Sequence, residues 1–335
     1  MKAIGFKTSH NIEHKESLIE FQTEKPIAGG FDIVVKVSAV SINPVDTKVR
    51  ANSAKNITLD EAKILGYDGL GIVDSIGNDV NNVKIGDRVY YAGNVTKNGS
   101  NSEFQLIDSR IVAIAPKSIK DEEAAVLPLT ALTAWEALFD RMNIKADENK
   151  TILIIGAAGG VGSIATQIVK KTTNLKVIAT ASREQTSTWC KNMGADVIVN
   201  HKDLINSVRE AGFQNIDYIF NLADTSLHWD AMAELIAPQG KICSIVDTSE
   251  NVDINKLKPK SVTFIWEFMF TRSIFNTADI QKQGDILAKL AVLVDEGKIK
   301  TTLTKSLNGF NLENFKEAHQ LTESGENIGK IAIKF

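Results

Sequence analysis

The sequence has few cysteines and no long apolar segment. Its two cysteines, Cys190 and Cys243, are too few for a disulfide scaffold in a chain of 335 residues, and they indicate a reducing compartment. No uninterrupted apolar run approaches the roughly 18 residues of a membrane-spanning helix. Residues 1–16 lack the apolar stretch of a signal peptide. We therefore expect a cytoplasmic protein.

An excess of basic residues is also missing. The chain has 38 basic and 41 acidic residues and a net charge of −3, which disfavours nucleic acid or an anionic membrane as partner. A composition of 43% hydrophobic and 24% charged residues argues against disorder. At roughly 150 residues per domain, the length predicts two domains.

The chain has two parts with different sequence patterns. The first 120 residues are β-rich, and residues 32–40 alternate as a half-buried strand does. From residue 151 onward, short apolar runs alternate with helical segments, which predicts strands buried on both faces of a doubly wound parallel sheet. Helices over 279–296 and 311–323 and a final strand are expected after that. The fold class is α/β.

The strongest motif is TILIIGAAGGVGSIATQIV, a β-branched strand that leads through glycines into a helix. Glycines permit a tight turn and close approach of the backbone to a pyrophosphate, and the helix N-terminus offers N–H donors. The alternative is a glycine-rich turn without a ligand. The residues expected to contact a dinucleotide here are Gly156, Gly159, Gly160, Val161 and Gly162.

The residues after the next strand indicate the cofactor. An NAD site usually has a carboxylate there, whereas this chain has Ser182 and Arg183. A guanidinium binds a 2′-phosphate that a carboxylate would repel, so NADPH is favoured. The alternative is a solvated arginine that begins a helix. His201 ends the following strand and could contact adenine or phosphate, or be a surface histidine. Leu222, Asp224 and Ile245 likewise follow strands, at the edge where such ligands bind.

Several segments together resemble the medium-chain dehydrogenase/reductase superfamily, most closely its quinone oxidoreductase branch, often labelled zinc-type alcohol dehydrogenase-like. The segments are SINPVDTKVR, ILGYDGLGIVDSIGNDV, IGDRVYYAG, LPLTALTAWEALFDR, GAAGGVGSIA, MGADVIVNH, FMFTR and GKIAI. The resemblance implies a GroES-like β-rich catalytic domain (1–123 and 268–335), a Rossmann NADP(H)-binding domain (124–267) and a homodimer.

The resemblance also implies cofactor contacts outside the glycine loop. They are Thr130, Phe268, Met269, Phe270 and Lys330. Other interpretations stay open for each: a helix-packing role for the threonine, an interdomain core for the aromatic segment, and a surface position for the lysine.

Zinc-using relatives place metal ligands at positions that correspond here to Asn43, Tyr67 and about Leu129. An amide, a phenol and an aliphatic chain are not the ligand set of catalytic zinc, so we expect no metal. Asn43 and Tyr67 are instead candidate catalytic residues, as a hydrogen-bond donor and as a donor or aromatic wall. The alternatives are capping before Pro44 for Asn43, and core packing with a backbone hydrogen bond for Tyr67. Asp46 and Asp68 fit structural roles in turns.

The resemblance, together with the missing zinc ligands, thus implies a zinc-independent, NADPH-dependent reductase of quinones or α,β-unsaturated carbonyls. Conjugation in such substrates moves the developing negative charge to an oxygen, where a hydrogen-bond donor or water can stabilise it. Two alternatives remain: a zinc-dependent alcohol dehydrogenase, which the missing ligands disfavour, and a non-enzymatic NADPH-binding redox sensor, whose cofactor site would look the same.

Overall fold

The computed structural model describes all 335 residues, which form two compact units. The first unit comprises Met1–Leu132 and Phe270–Phe335, and the second comprises Thr133–Met269. Residues 124–132, which the sequence assigned to the nucleotide-binding domain, belong to the first unit. The division between the units falls within the helix Pro128–Trp135.

Sixteen strands and ten α-helices make up the secondary structure. The strands are β1 Lys2–Phe6, β2 Ile19–Gln22, β3 Asp32–Ser41, β4 Lys63–Ile64, β5 Gly69–Ile76, β6 Arg88–Tyr91, β7 Phe104–Asp108, β8 Val112–Ile114, β9 Thr151–Ile155, β10 Lys176–Thr180, β11 Val197–Val199, β12 Ile216–Asn221, β13 Ile236–Ser244, β14 Thr263–Trp266, β15 Leu303–Asn308 and β16 Lys330–Lys334. The helices are α1 Pro44–Asn52, α2 Asp121–Ala125, α3 Pro128–Trp135, α4 Gly160–Thr172, α5 Glu184–Asn192, α6 Leu204–Glu210, α7 Thr225–Leu235, α8 Thr271–Phe275, α9 Lys282–Asp295 and α10 Leu312–Glu323. None of the helices has the length and apolarity needed to cross a membrane.

The first unit is organised around β3. This strand pairs antiparallel with β5, β7 and β16 in a seven-stranded sheet, and β1, β2 and β4 form a separate small sheet. β16 pairs Ala332 with Ser41, so the end of the chain returns to the domain that the beginning builds. The buried alternate residues of β3, among them Ile33 and Val35, face a core completed by Val73, Val89 and Ile107.

The second unit is a six-stranded parallel sheet in the order β11-β10-β9-β12-β13-β14, with α4 to α7 between successive strands. Residues Ile152–Ile155 of β9 are fully buried, which explains their continuous apolar run. From β9 the chain proceeds to β10 and β11 on one side and then crosses to β12 on the other. The carboxyl ends of β9 and β12 therefore form a topological switch point, where ligands of this fold class bind. The predicted doubly wound fold is confirmed.

A buried histidine lies where α10 packs on α1 in the first unit. The guanidinium of Arg50 pairs with Glu323, and His319, one helical turn before Glu323, is fully buried with neither ring nitrogen bonded to another residue. Burial, together with the positive charge of Arg50, lowers the pKa of His319 to about 3. An unfolded chain would protonate the same ring near pH 6.5.

This histidine should make the fold sensitive to acid. Between about pH 6.5 and pH 3 the unfolded state binds more protons at His319 than the folded state, so the free energy of unfolding falls as the pH is lowered. Relative to a His319→Leu variant, the native chain should lose about 1 kcal/mol between about pH 6 and pH 5. Denaturant unfolding of both proteins at several pH values measures this difference. Parallel pH curves would contradict it.

Candidate active site

The glycine loop of the second unit is shaped for close approach of a ligand. Gly156 has a φ of +81°, which favours glycine, and a Cβ on it would lie 3.3 Å from the Leu222 side chain. A Cβ on Gly162 would lie 2.5 Å from the Ala157 backbone. The loop therefore delivers the N-terminus of α4, capped by Gly159, directly to the carboxyl end of β9. Its N–H groups and positive dipole end fit a pyrophosphate.

The residues expected to bind the rest of the dinucleotide lie at the same edge of this sheet. They follow β10, β11, β12 and β13, which run parallel to β9 or to its neighbours: Ser182, Arg183, His201, Leu222, Asp224 and Ile245. The side chain of Arg183 is exposed, while its backbone N–H donates to Thr186 Oγ1 at 3.2 Å at the start of α5. Asp224 caps α7 by accepting from Leu227 N at 2.9 Å.

The remaining expected cofactor contacts lie elsewhere. Phe268 and Met269 are the last residues of the second unit, and the first of them is half exposed. Thr130, Phe270 and Lys330 belong to the first unit, and all three are buried. The Thr130 hydroxyl donates to Leu127 O at 3.1 Å, just before the helix α3 that contains Thr130. Their contact with a cofactor stays a prediction.

A buried polar cluster in the first unit starts at Asn43, the N-cap of α1, which is 1% exposed. Its backbone N–H donates to Asp46 Oδ2 at 2.9 Å, and Asp46 Oδ1 accepts from Gly66 N at 2.9 Å. Asp46 thus ties the beginning of α1 to the glycine motif. The Asn43 side chain makes no capping hydrogen bond to α1. Its Oδ1 accepts from Lys330 Nζ at 2.6 Å, and its Nδ2 donates to Asp68 Oδ2 at 2.8 Å.

Lys330, the first residue of β16, enters this cluster from the far end of the chain. Its Nζ donates to Asn43 Oδ1 at 2.6 Å and to Ile42 O at 2.7 Å, and it lies 3.6 Å from Asp68 Oδ2. The side chain is 5% exposed. The interpretation of Lys330 as a surface lysine is therefore wrong, because its amine is buried against the loop between β3 and α1 and against Asp68.

Asp68 connects the cluster to a second helix. Its Oδ1 accepts from Leu129 N at 2.8 Å, in the first turn of α3, where a carboxylate is stabilised by the helix dipole. Burial raises the pKa of Asp46 to about 7 and that of Asp68 to about 6, and burial lowers the pKa of Lys330. The structural interpretation of both aspartates is supported by these contacts, since each carboxylate holds the start of a helix.

Tyr67 is fully buried beside Asp68. Its hydroxyl donates to Val95 O at 3.4 Å, and its ring meets Phe270 edge-on with 5.6 Å between centroids. Burial raises the pKa of the phenol well above its usual range, so the hydroxyl remains protonated and able to donate. The packing that the sequence left as an alternative is present, and a role toward substrate stays a prediction.

The donor groups at the three motif positions do not fit zinc. The Asn43 amide is bonded to Asp68 and Lys330, the Tyr67 phenol keeps its proton, and Leu129 contributes only a backbone N–H. No group of three or more His, Cys, Asp or Glu side chains in the structure could hold a metal ion. Cys190 and Cys243 are buried with pKa values raised by burial, which makes both poor nucleophiles.

Sequence reasoning missed the meeting of Lys330 with Asn43 and Asp68. Lys330 and Asn43 lie 287 residues apart in the sequence, and no periodic pattern of the sequence connects them. A usable signal was Asp68 between Gly66 and Gly69, since a carboxylate in a buried glycine motif requires a charged or hydrogen-bonding partner.

Two family patterns match this chain. The alcohol dehydrogenase GroES-like domain matches residues 29–114, and the zinc-binding dehydrogenase pattern matches residues 193–333. A zinc-type alcohol dehydrogenase-like protein of Staphylococcus epidermidis is 44% identical and aligns over 99% of both chains. A human mitochondrial NAD(P)H oxidoreductase is 30% identical, over 90% of this chain and 81% of its own. A 2-methylene-furan-3-one reductase of Solanum lycopersicum is 26% identical, over 90% and 71%.

Solved structures agree with these matches. The crystal structure of a putative zinc-dependent alcohol dehydrogenase protein from Rhizobium etli superposes with a TM-score of 0.95 at 44% identity, covering 100% of this chain and 98% of the other. The quinone oxidoreductase from Coxiella burnetii gives 0.82 at 25% identity, covering 100% and 99%. The Escherichia coli quinone oxidoreductase complexed with NADPH gives 0.85 at 24% identity, covering all of both chains, and supports the fold alone.

Proposed function

Because the chain belongs to the zinc-type alcohol dehydrogenase-like proteins of the medium-chain dehydrogenase/reductase superfamily, we propose that it is an NADPH-dependent reductase of quinones or α,β-unsaturated carbonyls that works without zinc. It is an oxidoreductase by family; the substrate class and the cofactor preference are the proposal. Relatives with the names quinone oxidoreductase and 2-methylene-furan-3-one reductase support that substrate class.

The donor set at Asn43, Tyr67 and Leu129 is the observation that carries the proposal. Oxidation of an alcohol in zinc enzymes depends on a Lewis acid that stabilises the alkoxide, and these three positions supply no ligand for one. Reduction of a conjugated carbonyl needs no Lewis acid, because the developing negative charge moves to an oxygen that hydrogen-bond donors can stabilise. The chain keeps such donors at this centre.

The chain's own residues divide the work between cofactor and substrate. When bound, NADPH supplies the hydride. The N–H groups of the Gly159–Gly162 turn would bind its pyrophosphate and Arg183 its 2′-phosphate. Toward the substrate, we propose Asn43 and Tyr67 as donors. The Asn43 Nδ2 contact with Ser41 O is 3.5 Å and the Tyr67 contact with Val95 O is 3.4 Å, and bonds of that length are weak enough for a substrate oxygen to replace.

The test follows NADPH absorbance in the presence of a panel of quinones and enones, with simple alcohols and NADP⁺ as the opposite arm. We expect turnover with conjugated carbonyls and none with alcohols, with or without added zinc. Tight NADPH binding without turnover across the panel would favour the redox-sensor alternative. Stoichiometric zinc by elemental analysis, with alcohol oxidation that depends on it, would favour the alcohol dehydrogenase.

We also propose that the protein is a homodimer joined along β14. This strand is one edge of the parallel sheet, and its outer side has no partner strand within the chain. Trp266 at its end is 48% exposed, and Phe268 shortly after it is 50% exposed. An unpaired edge beside exposed aromatic side chains is a template for pairing with a second copy, and a two-fold axis would satisfy both edges at once.

A Trp266→Lys substitution should separate the two copies, because a charged residue on an edge strand disfavours edge pairing. We expect light scattering after size exclusion to give a dimer for the native chain and a monomer for the variant. Leu227→Lys, an equally polar change at an exposed position on α7, is the control and should stay dimeric. A native monomer, or a variant that remains dimeric, would contradict this interface.

A further inference from the structure

The amine of Lys330 is surrounded by acceptors. Asn43 Oδ1, Ile42 O and Asp68 Oδ2 lie 2.6, 2.7 and 3.6 Å from its Nζ. An ammonium has three N–H donors and no acceptor, whereas a neutral amine has a lone pair that would face one of these oxygens. The contacts therefore favour the charged form of Lys330, which has one N–H donor for each of the three oxygens.

The charge balance of the cluster depends on this one side chain. Asp46 and Asp68 are both fully buried, and Lys330 is the cation whose charge acts on both of them. Buried carboxylates without a compensating cation are strongly destabilising. Lys330 therefore supplies the counter-charge of this centre when its two carboxyl groups are ionised.

The Lys330 ammonium also lies close to the three positions where zinc-using relatives have metal ligands, Asn43, Tyr67 and Leu129. Lys330 contacts Asn43 directly, Asp68 follows Tyr67, and Leu129 donates its N–H to Asp68. Zinc does not fit here, yet the centre retains two acidic residues and a cation. The chain supplies that cation itself, on a strand that is anchored to β3 by the pairing of Ala332 with Ser41.

From this disagreement between a zinc-type family and a metal-free donor set, we infer that Lys330 is the positioning residue of the centre. Its ammonium is a fixed cation that neutralises Asp68 and holds Asn43 Oδ1, so that the amide N–H groups point toward Asp68 and Ser41. The effect of Lys330 on the reaction rests on the proposed function. The requirement for a cation at this position is independent of the proposed function.

The first experiment needs no enzymatic activity. Lys330→Ala leaves the three oxygens without their donor and leaves room for a small cation. We expect ammonium chloride to raise the Tm of this variant by at least about 2 °C more than tetramethylammonium chloride of the same ionic strength, and to make no such difference for the native chain. Equal effects of the two salts on the variant would overturn the requirement for a cation.

The second experiment is kinetic and uses variants of matched length. With a quinone that the native enzyme reduces, Lys330→Met should lower kcat about ten- to a hundredfold, the size of loss typical when a supporting group is removed. The Kd for NADPH, measured by fluorescence, should change less than about threefold, and Lys330→Arg should regain part of kcat. Lys334→Met, on the same strand and half exposed, is the control and should keep native rates.

The outcomes separate the possible roles. Native kcat in a folded Lys330→Met variant would overturn positioning and leave only a contribution to stability. A large rise in the NADPH Kd with unchanged kcat would overturn it in favour of a cofactor contact. If the native chain reduces none of the panel, the proposed function fails, and the salt experiment still decides whether the centre requires a cation at this place.

Discussion

The Asp68→Ala variant is expected to unfold with a free energy about 3–5 kcal/mol below that of the native chain, the loss typical when one partner of a buried ion pair is removed. The change leaves the Lys330 ammonium without its carboxylate and deprives Leu129 N and Asn43 Nδ2 of their acceptor. Buried donors without partners add to the penalty. Asp68 should therefore be among the most sensitive positions of the first unit.

Two spectroscopic probes should distinguish the unfolding of the first unit from that of the second. All four tryptophans of the chain, at positions 135, 189, 229 and 266, lie in the second unit, so their fluorescence reports that unit, whereas far-ultraviolet circular dichroism reports both. We expect the Asp68 substitution to shift the dichroism transition to lower denaturant and the fluorescence transition less. Asp74→Ala on β5, which removes a half-exposed pair with Lys25, is the control and should cost at most about 1 kcal/mol.

A double variant tests the electrostatic cause. If the penalty comes from an uncompensated ammonium, adding Lys330→Met to Asp68→Ala should recover part of the lost stability, because neighbouring sites are coupled. Additive losses in the double variant would show that hydrogen bonding, not charge, dominates at Asp68.

From the proposed preference for NADPH, the Arg183→Glu variant is expected to lower the ratio of kcat/KM with NADPH to kcat/KM with NADH by about a hundredfold or more. A hydrogen bond to a charged group contributes about 1.5–3 kcal/mol, or roughly tenfold to a hundred-and-fiftyfold in kcat/KM, and a carboxylate adds repulsion of the 2′-phosphate. The backbone of Arg183 is held by Thr186, and its side chain is exposed, so the substitution should leave α5 intact. Initial rates with NADPH and with NADH give the ratio of the two kcat/KM values.

The same charge reversal elsewhere on α5 provides the comparison. Lys191→Glu, at an exposed position in the last turn of that helix, should leave the ratio within about twofold of native, since a screened surface charge acts over only about 8 Å at physiological ionic strength. A native preference for NADH, or equal losses with both cofactors in Arg183→Glu, would show that Arg183 does not recognise the 2′-phosphate.

The nucleotide-binding half could be predicted from sequence because its signals are local. Residues Ile152–Ile155 are fully buried, and the glycines that follow them are required by a positive φ at Gly156 and by the close approach at Gly162. The helix and strand alternation then fixes which residues follow each strand, and in a parallel sheet such residues share one edge. Ser182, Leu222 and Ile245 lie at that edge for this reason.

The polar cluster of the first unit could not be predicted in the same way. Asn43, Asp68 and Lys330 come from a loop, a glycine motif and the last strand, and only the pairing of β16 with β3 brings them together. Burial was equally hidden, because an asparagine before a proline and a lysine after a glycine are normally solvated. The resemblance placed Asn43 and Lys330 near a reaction centre, but it did not indicate that they bond to each other or that Asp68 joins them.

The position of β16 has a consequence for synthesis of the protein on the ribosome. The second unit is one continuous segment, Thr133–Met269, and all its strands have emerged before β16 is translated. The first unit, by contrast, cannot complete its fold before residues 330–334 are translated. Until then β3 lacks its pairing with β16, and the buried Asp46 and Asp68 lack the counter-charge of Lys330. Domains generally fold as they emerge, but here the N-terminal domain should be the last to close, and a chain that stops a few residues early should be a target for proteolysis.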